Sequence, residues 1–171
     1  MINKETNQNK IKTLPRYHEI TNVGLYLEQT AKFVNQYLKE LNQPELTNSM
    51  ISNYVKLKLL YNPEKKQYSS KHIATLIFIA LAKNVVSLDN IRYLLSLNVD
   101  SSLFEDNYDL FCTLFDICLS SLFSNKTISL AEYSQHQDLL IPIIKAITQK
   151  IYLDHCIAAQ KEKSAQKKIT N

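Results

Sequence analysis

The sequence predicts a nearly all-α protein with at most one small β-hairpin, and three observations carry that reading. Of 171 residues one, Gly24, is glycine and four are proline, so little material exists for the positive-φ turns that tight hairpins need. Long stretches repeat apolar residues at spacings of three and four, the period of an amphipathic helix. Hydrophobic residues make up 45% of the chain, enough at this length to bury a substantial core.

The elements follow in order. Residues 1–13 are polar and charged without an apolar stretch, which predicts a disordered arm that is neither a signal peptide nor an anchor. From about Leu25 to Leu41, Leu27, Ala31, Val34, Leu38 and Leu41 recur at helical spacing, and Asn42-Gln43-Pro44 stops that helix. The link to Thr47 is short enough for a helix-turn-helix pair. Thr47, Asn48 and Ser49 offer side-chain oxygens to orphan N–H groups, so one of them is the N-cap of a second helix. On it Ile51, Tyr54, Val55 and Leu59 share one face, while Ser49, Ser52, Asn53, Lys56 and Lys58 project elsewhere. Tyr61-Asn62-Pro63 breaks the pattern, and Glu64 to Tyr68 is the candidate hairpin.

Ser69 or Ser70 caps a third helix that is apolar nearly all round from Ile73 to Ala82, as expected of a spine wrapped by other helices. The same run is about half the length a bilayer span needs, so no membrane association is expected and the chain reads as cytoplasmic. Ser87 opens a short helix with Ile91, Leu94 and Leu95 on one face. From about Glu105 to Phe123 a broad stripe runs through Tyr108, Phe111, Cys112, Phe115, Cys118, Leu119 and Leu122. A last helix is expected from about Gln137 to Gln160. Pro142 is tolerated only in a first turn, which moves the start towards Ile141. Its Ile144, Ile147 and Ile151 form a seam that either pairs with a second copy or folds back on its own domain. Lys161 to Asn171 is lysine-rich and reads as a disordered tail.

Charge is uneven over a net +4. From Thr47 to His72 five lysines face one glutamate, whereas from Asp100 to Leu140 seven acids face one lysine. Three cysteines without a close pair fit a reducing compartment, and Cys112 and Cys118, about 120° out of alignment on a helix, read as core residues. His18, His72, His136 and His155 lack metal-ligand spacing, and one glycine precludes a glycine-rich nucleotide loop. Nothing indicates an enzyme, a metal or a cofactor.

The residues Ile51, Tyr54, Leu59, Leu60, Pro63, Tyr68 and Ser69 resemble the DNA-binding half of MerR-type regulators, in which a recognition helix is followed by a small wing and a Tyr-Ser helix start. Ser52 and Lys58 stand where that pattern usually has arginine and glycine. The chain as a whole looks similar to a family of Gram-positive bacterial proteins catalogued as a domain of unknown function. That likeness rests on Leu14-Pro15-Arg16, Leu25-Tyr26 with Gln29, Thr47 to Leu60, Lys66-Gln67-Tyr68-Ser69 with His72, and Ser87 with Ile91, from roughly Leu14 to Leu95. The resemblance implies a winged helix-turn-helix over residues 14–98; the helices beyond it read as a dimerisation or sensing region over 99–160, and the lysine-rich end as a basic tail over 161–171.

The expected function is sequence-specific binding of double-stranded DNA by a homodimer that regulates transcription, with an effector of unknown kind. The alternative is a protein-interaction module that keeps the fold without DNA binding. Candidate DNA contacts are Ser49, Ser52 and Asn53 at base edges and Lys56, Lys58, Lys65 and Lys66 at phosphates. Tyr68 either packs under the hairpin or hydrogen-bonds a phosphate.

Overall fold

The computed structural model describes residues 14–97, 101–136 and 138–169. Among these are six α-helices and no strand: α1 (Leu27–Glu40), α2 (Asn48–Lys56), α3 (Ser70–Ala82), α4 (Leu88–Ser96), α5 (Phe104–Ser124) and α6 (Leu140–Ile169). Short 3₁₀ turns occupy Tyr17–Glu19, Ser101–Leu103 and Ala131–His136. The class expected from the sequence is therefore observed. No helix among the described residues is long and apolar enough to cross a membrane. The expected N-terminal arm lies outside the described residues.

α3 is the spine. Ile73, Leu76, Ile77, Ile79 and Leu81 are all but inaccessible to solvent, as are the alanines between them, and α1 and α6 pack on it. One apolar cluster joins Val34 of α1, Ile51 of α2, Ile91 of α4, Phe115 of α5 and Ile147 of α6 to this spine. The regions expected on either side of residue 98 thus share a core. Each fully buried Leu or Ile contributes about 1.5–3 kcal/mol, so a few such positions match the whole net stability of a domain.

Local chemistry fixes the helix starts. The Thr47 hydroxyl accepts the Met50 N–H at 3.2 Å and the Ser87 hydroxyl accepts the Asn90 N–H at 3.2 Å. At two other starts a side chain three residues in reaches back to the backbone: Gln29 Oε1 accepts the Tyr26 N–H at 2.9 Å, and His72 Nδ1 accepts the Ser69 N–H at 3.0 Å. His72 takes the place of the usual Glu or Gln, and it can do so only as the neutral ring.

Burial lowers the His72 pKa from its ordinary 6.5. The unfolded chain then binds a proton more readily than the folded one, so stability falls as pH drops below about 6.5 towards the folded value. His72→Gln keeps an acceptor for the Ser69 N–H and removes the titration. Urea unfolding at pH 7.5 and 5.5 should therefore show a smaller loss of stability in the variant than in the wild type.

The helix ends are equally defined. α1 closes with Asn42 at φ 54°, Gln43 N–H bonded to Leu38 O at 2.8 Å and Asn42 N–H to Lys39 O at 3.0 Å. α2 closes in the same way: Lys58 sits at φ 56°, with Leu59 N–H on Tyr54 O at 2.9 Å and Lys58 N–H on Val55 O at 3.0 Å. This corrects the expectation that the α2 pattern runs on through Leu59. The stop falls at a lysine, where the residue type gives no signal for it.

Of the two roles open to Ile144, Ile147 and Ile151, the second is observed: they are buried within the chain, because α6 lies along α5. One further expectation is corrected. The tail expected to be disordered from Lys161 is helical up to Ile169. Its Ala, Gln, Glu and Lys residues are strong helix formers, and cations at a helix C-terminus complement the macrodipole. Residues 170–171 lie outside the described part.

The segment before α1 straps the two halves together. Tyr17 N–H donates to Asp109 Oδ1 and the Arg16 guanidinium pairs with Asp116, both at 2.7 Å, while the Tyr17 ring meets Phe104 and Tyr108 edge-on. Beneath the strap the Cys112 thiol donates to Pro15 O, and burial pushes its pKa up to about 12, which leaves it un-ionised. Cys112 and Cys118 are core residues as expected.

Candidate nucleic-acid interface

The turn between α1 and α2 is clamped from α1. Asn35 Nδ2 donates to Leu46 O at 3.0 Å and Asn35 Oδ1 accepts the Leu46 N–H at 2.7 Å, so one side chain satisfies both backbone groups of a buried residue. Gln43, also buried, donates to Leu41 O and accepts from Asn84 Nδ2 at the end of α3. The relative placement of α1 and α2 is thereby set by polar contacts as well as by Val34, Leu38, Ile51 and Tyr54 in the core.

α2 buries Ile51 and Tyr54 and exposes the opposite face. Ser49, Asn53 and Lys56 are exposed and Ser52 is half-buried; at spacings of three, four and seven the four residues share that face. Lys58 follows at the left-handed stop. The hairpin is reduced to its minimum: Glu64 bridges Gln67, with Gln67 N–H on Glu64 O at 2.8 Å, around Lys65 at φ 48° and Lys66 at φ 66°. Positive φ at both central residues makes this a type I′ turn, a conformation that favours Asn-Gly. The hairpin is anchored by the Leu25–Tyr68 bridge, whose two backbone bonds are 3.0 and 2.8 Å. A Cβ on Gly24 would lie 2.8 Å from Gln67 Cβ, so the single glycine stands where the hairpin stem passes.

The side chains of Lys56, Lys58, Lys65 and Lys66 are all exposed, and among the described residues none pairs with a carboxylate. Lys71, also in the basic segment, is different: it is half-buried, with its ammonium 4.8 Å from the Phe104 ring and 5.5 Å from that of Tyr61. Tyr68 is 5% exposed and stands edge-on to His72, which places its ring in the core. Of the two roles expected for it, packing is the one this position serves. Two aromatics near the hairpin, Tyr26 and Tyr61, are exposed although neither is a candidate DNA contact from the sequence.

Five residues of the described chain hold positive φ, and none is glycine: Asn42, Asn125, Lys58, Lys65 and Lys66. Asparagine adopts this region with little strain, whereas a lysine there costs about 1–2 kcal/mol. The lysine side chains recover none of that through burial or salt bridges. What each adds over asparagine or glycine is an exposed cation.

Replacing Lys65-Lys66 by Asn-Gly should accordingly raise stability by about 1–2 kcal/mol, an increase of roughly 3–6 °C in Tm for a chain of this size. Thermal denaturation by circular dichroism checks this. An unchanged or lower Tm would mean that the lysines are not strained.

A model of the family described as a domain of unknown function, DUF1836, matches residues 15–112. The chain belongs to this family. The match covers more than half of the chain and reaches past Leu95, the end of the motifs that carry the resemblance. Its extension to Cys112 has a physical counterpart in the strap, since Tyr17 is held by Asp109 and Pro15 by Cys112. The DUF1836 unit thus contains α1 to α4, the hairpin and the first half of α5. No curated protein and no solved structure matches the chain.

Proposed function

We propose that this DUF1836 protein is a sequence-specific double-stranded DNA-binding protein and a transcriptional regulator, built on a MerR-like winged helix-turn-helix. In this reading α2 is the recognition helix, the Lys65–Lys66 hairpin is the wing, and α1 is the supporting helix. The observation that carries it is the set of three exposed, unpaired lysines held in left-handed backbone conformations directly after α2 and at the hairpin tip. Strain retained at exposed positions points to use, and for unpaired cations beside a polar helix face the fitting use is phosphate contact.

Ser49, Ser52 and Asn53 are the candidates for base readout. An Asn on a recognition helix can bond both N6 and N7 of adenine, worth about 1–3 kcal/mol of discrimination. Two such heads on an inverted repeat would double the contacts. With Ile144, Ile147 and Ile151 inside the chain, the exposed Leu153 and Ile157 of α6 are where a second copy would meet it.

The test is selection of bound duplexes from a random pool, followed by Asn53→Ala. The variant should lose preference for the selected site by about 1–3 kcal/mol while binding random duplex as before. Failure of the wild type to enrich any duplex would favour the protein-interaction reading.

A further inference from the structure

The helices α3, α4, α5 and α6 border a partly open pocket of about 200 Å³. Phe78, Leu94, Phe104, Phe111, Leu140 and Ile143 supply most of its wall, and the polar groups that reach it are Thr75, Asn107 and Tyr108. No charged side chain lines it. Thr75 is already bonded to Lys71 O at 2.8 Å, so its hydroxyl proton is committed to the backbone. A pocket of this size with mostly apolar walls suits a compact apolar guest; a closed apolar cavity of about 150 Å³ accepts benzene.

The cavity has a direct mechanical link to the proposed recognition helix. α4 lines it through Leu94 and Leu95, and the same helix holds the end of α2 through Arg92. The Arg92 guanidinium donates to Leu57 O from Nη2 at 3.1 Å and from Nε at 3.3 Å, and it is oriented by Asp89 at 2.7 Å. Leu57 is the residue that closes α2, immediately before Lys58. α4 thus touches both the pocket and the C-terminus of α2.

We infer that the cavity between α3, α4, α5 and α6 is a binding site for a small, uncharged, largely apolar molecule, and that its occupancy is passed to α2 through α4 and the Arg92–Leu57 contact. The second half of this statement rests on the DNA-binding reading; the first half does not. The ligand class follows from the volume, which accommodates roughly a substituted single ring, and from the absence of any charge to pair with an ionised group.

The test uses the full chain and toluene as the probe, followed by methyl NMR. Toluene should shift the methyl resonances of Leu94, Leu140 and Ile143 selectively and saturably. Leu94→Trp, which fills the space, should abolish those shifts while leaving methyls on the far side of α3 unchanged; Ile143→Phe serves the same purpose if the first variant does not fold. Shifts spread over exposed methyls such as those of Leu153 and Ile157, or surviving both filling variants, would overturn the site. In a separate arm, toluene should change the affinity for a selected duplex by at least about fivefold, and Arg92→Ala should remove that change without affecting the methyl shifts. Selective methyl shifts with unaltered duplex affinity would overturn the coupling and leave the site standing. Absence of any duplex binding would count against the DNA reading and the coupling, with the methyl shifts still deciding the site.

Discussion

Ile147→Glu should abolish the native fold. The side chain is 1% exposed, on the face of α6 that lies along α5, and the surrounding residues are apolar. A carboxylate there has no partner. It is either ionised in a medium that cannot solvate it or protonated at the expense of its pKa, and in both cases the cost is more than about 4 kcal/mol. That is a large share of the roughly 5–15 kcal/mol that holds a domain together. The variant should aggregate or show a molten near-UV spectrum at 25 °C. Ile157→Glu, nearly three turns further along the same helix at a position 44% exposed, should stay within about 0.5 kcal/mol of the wild type. A folded, monomeric Ile147→Glu protein would show instead that this face joins two chains.

The contrast between these two isoleucines shows where the sequence was readable and where it was not. Helical spacing marks Ile144, Ile147 and Ile151 as one buried seam, but periodicity is the same whether the seam meets α5 of its own chain or a second copy. Starts of helices were legible because caps are chemical: Ser87 accepts the N–H of Asn90, and of the three candidates Thr47, Asn48 and Ser49 it is Thr47 that caps α2. The all-apolar run of α3 could only be a spine. The end of α2 was not legible, because Leu57, Leu59 and Leu60 continue the apolar pattern while the chain turns at Lys58, a residue with no left-handed preference. The strap was hidden for another reason: Arg16 and Asp116 are a hundred residues apart, and nothing local announces their pairing.

At the candidate interface, the exposed stripe of α2 was readable from the placement of Ile51 and Tyr54 alone. Tyr68 was ambiguous, because a tyrosine at a hairpin base serves equally as a packed ring or as a surface hydroxyl. The strain at Lys65 and Lys66 is a property of backbone angles and carries no sequence signal; a chain with one glycine suggested instead that tight turns would be scarce. The hairpin exists because it needs only two residues of positive φ, and lysine fills both. The cavity arises from the arrangement of four helices and has no counterpart in any single segment.

Phosphate contact by Lys56, Lys58, Lys65 and Lys66 is measured directly by the salt dependence of DNA binding. Each phosphate neutralised releases counterions, so the slope of log K against log salt is about −0.9 per contact. A single head using all four lysines should give about −3.6, and a two-headed complex about −7. Over a rise from about 50 to 200 mM salt even the smaller slope weakens binding by roughly a hundredfold. Anisotropy titrations of a labelled duplex across that range give the slope for the wild type and for the Lys65-Lys66→Asn-Gly variant. The variant should flatten it by about 1.8 per head while melting at a higher temperature than the wild type. A wild-type slope near zero, or one that the variant leaves unchanged, would contradict the assignment of these lysines to DNA.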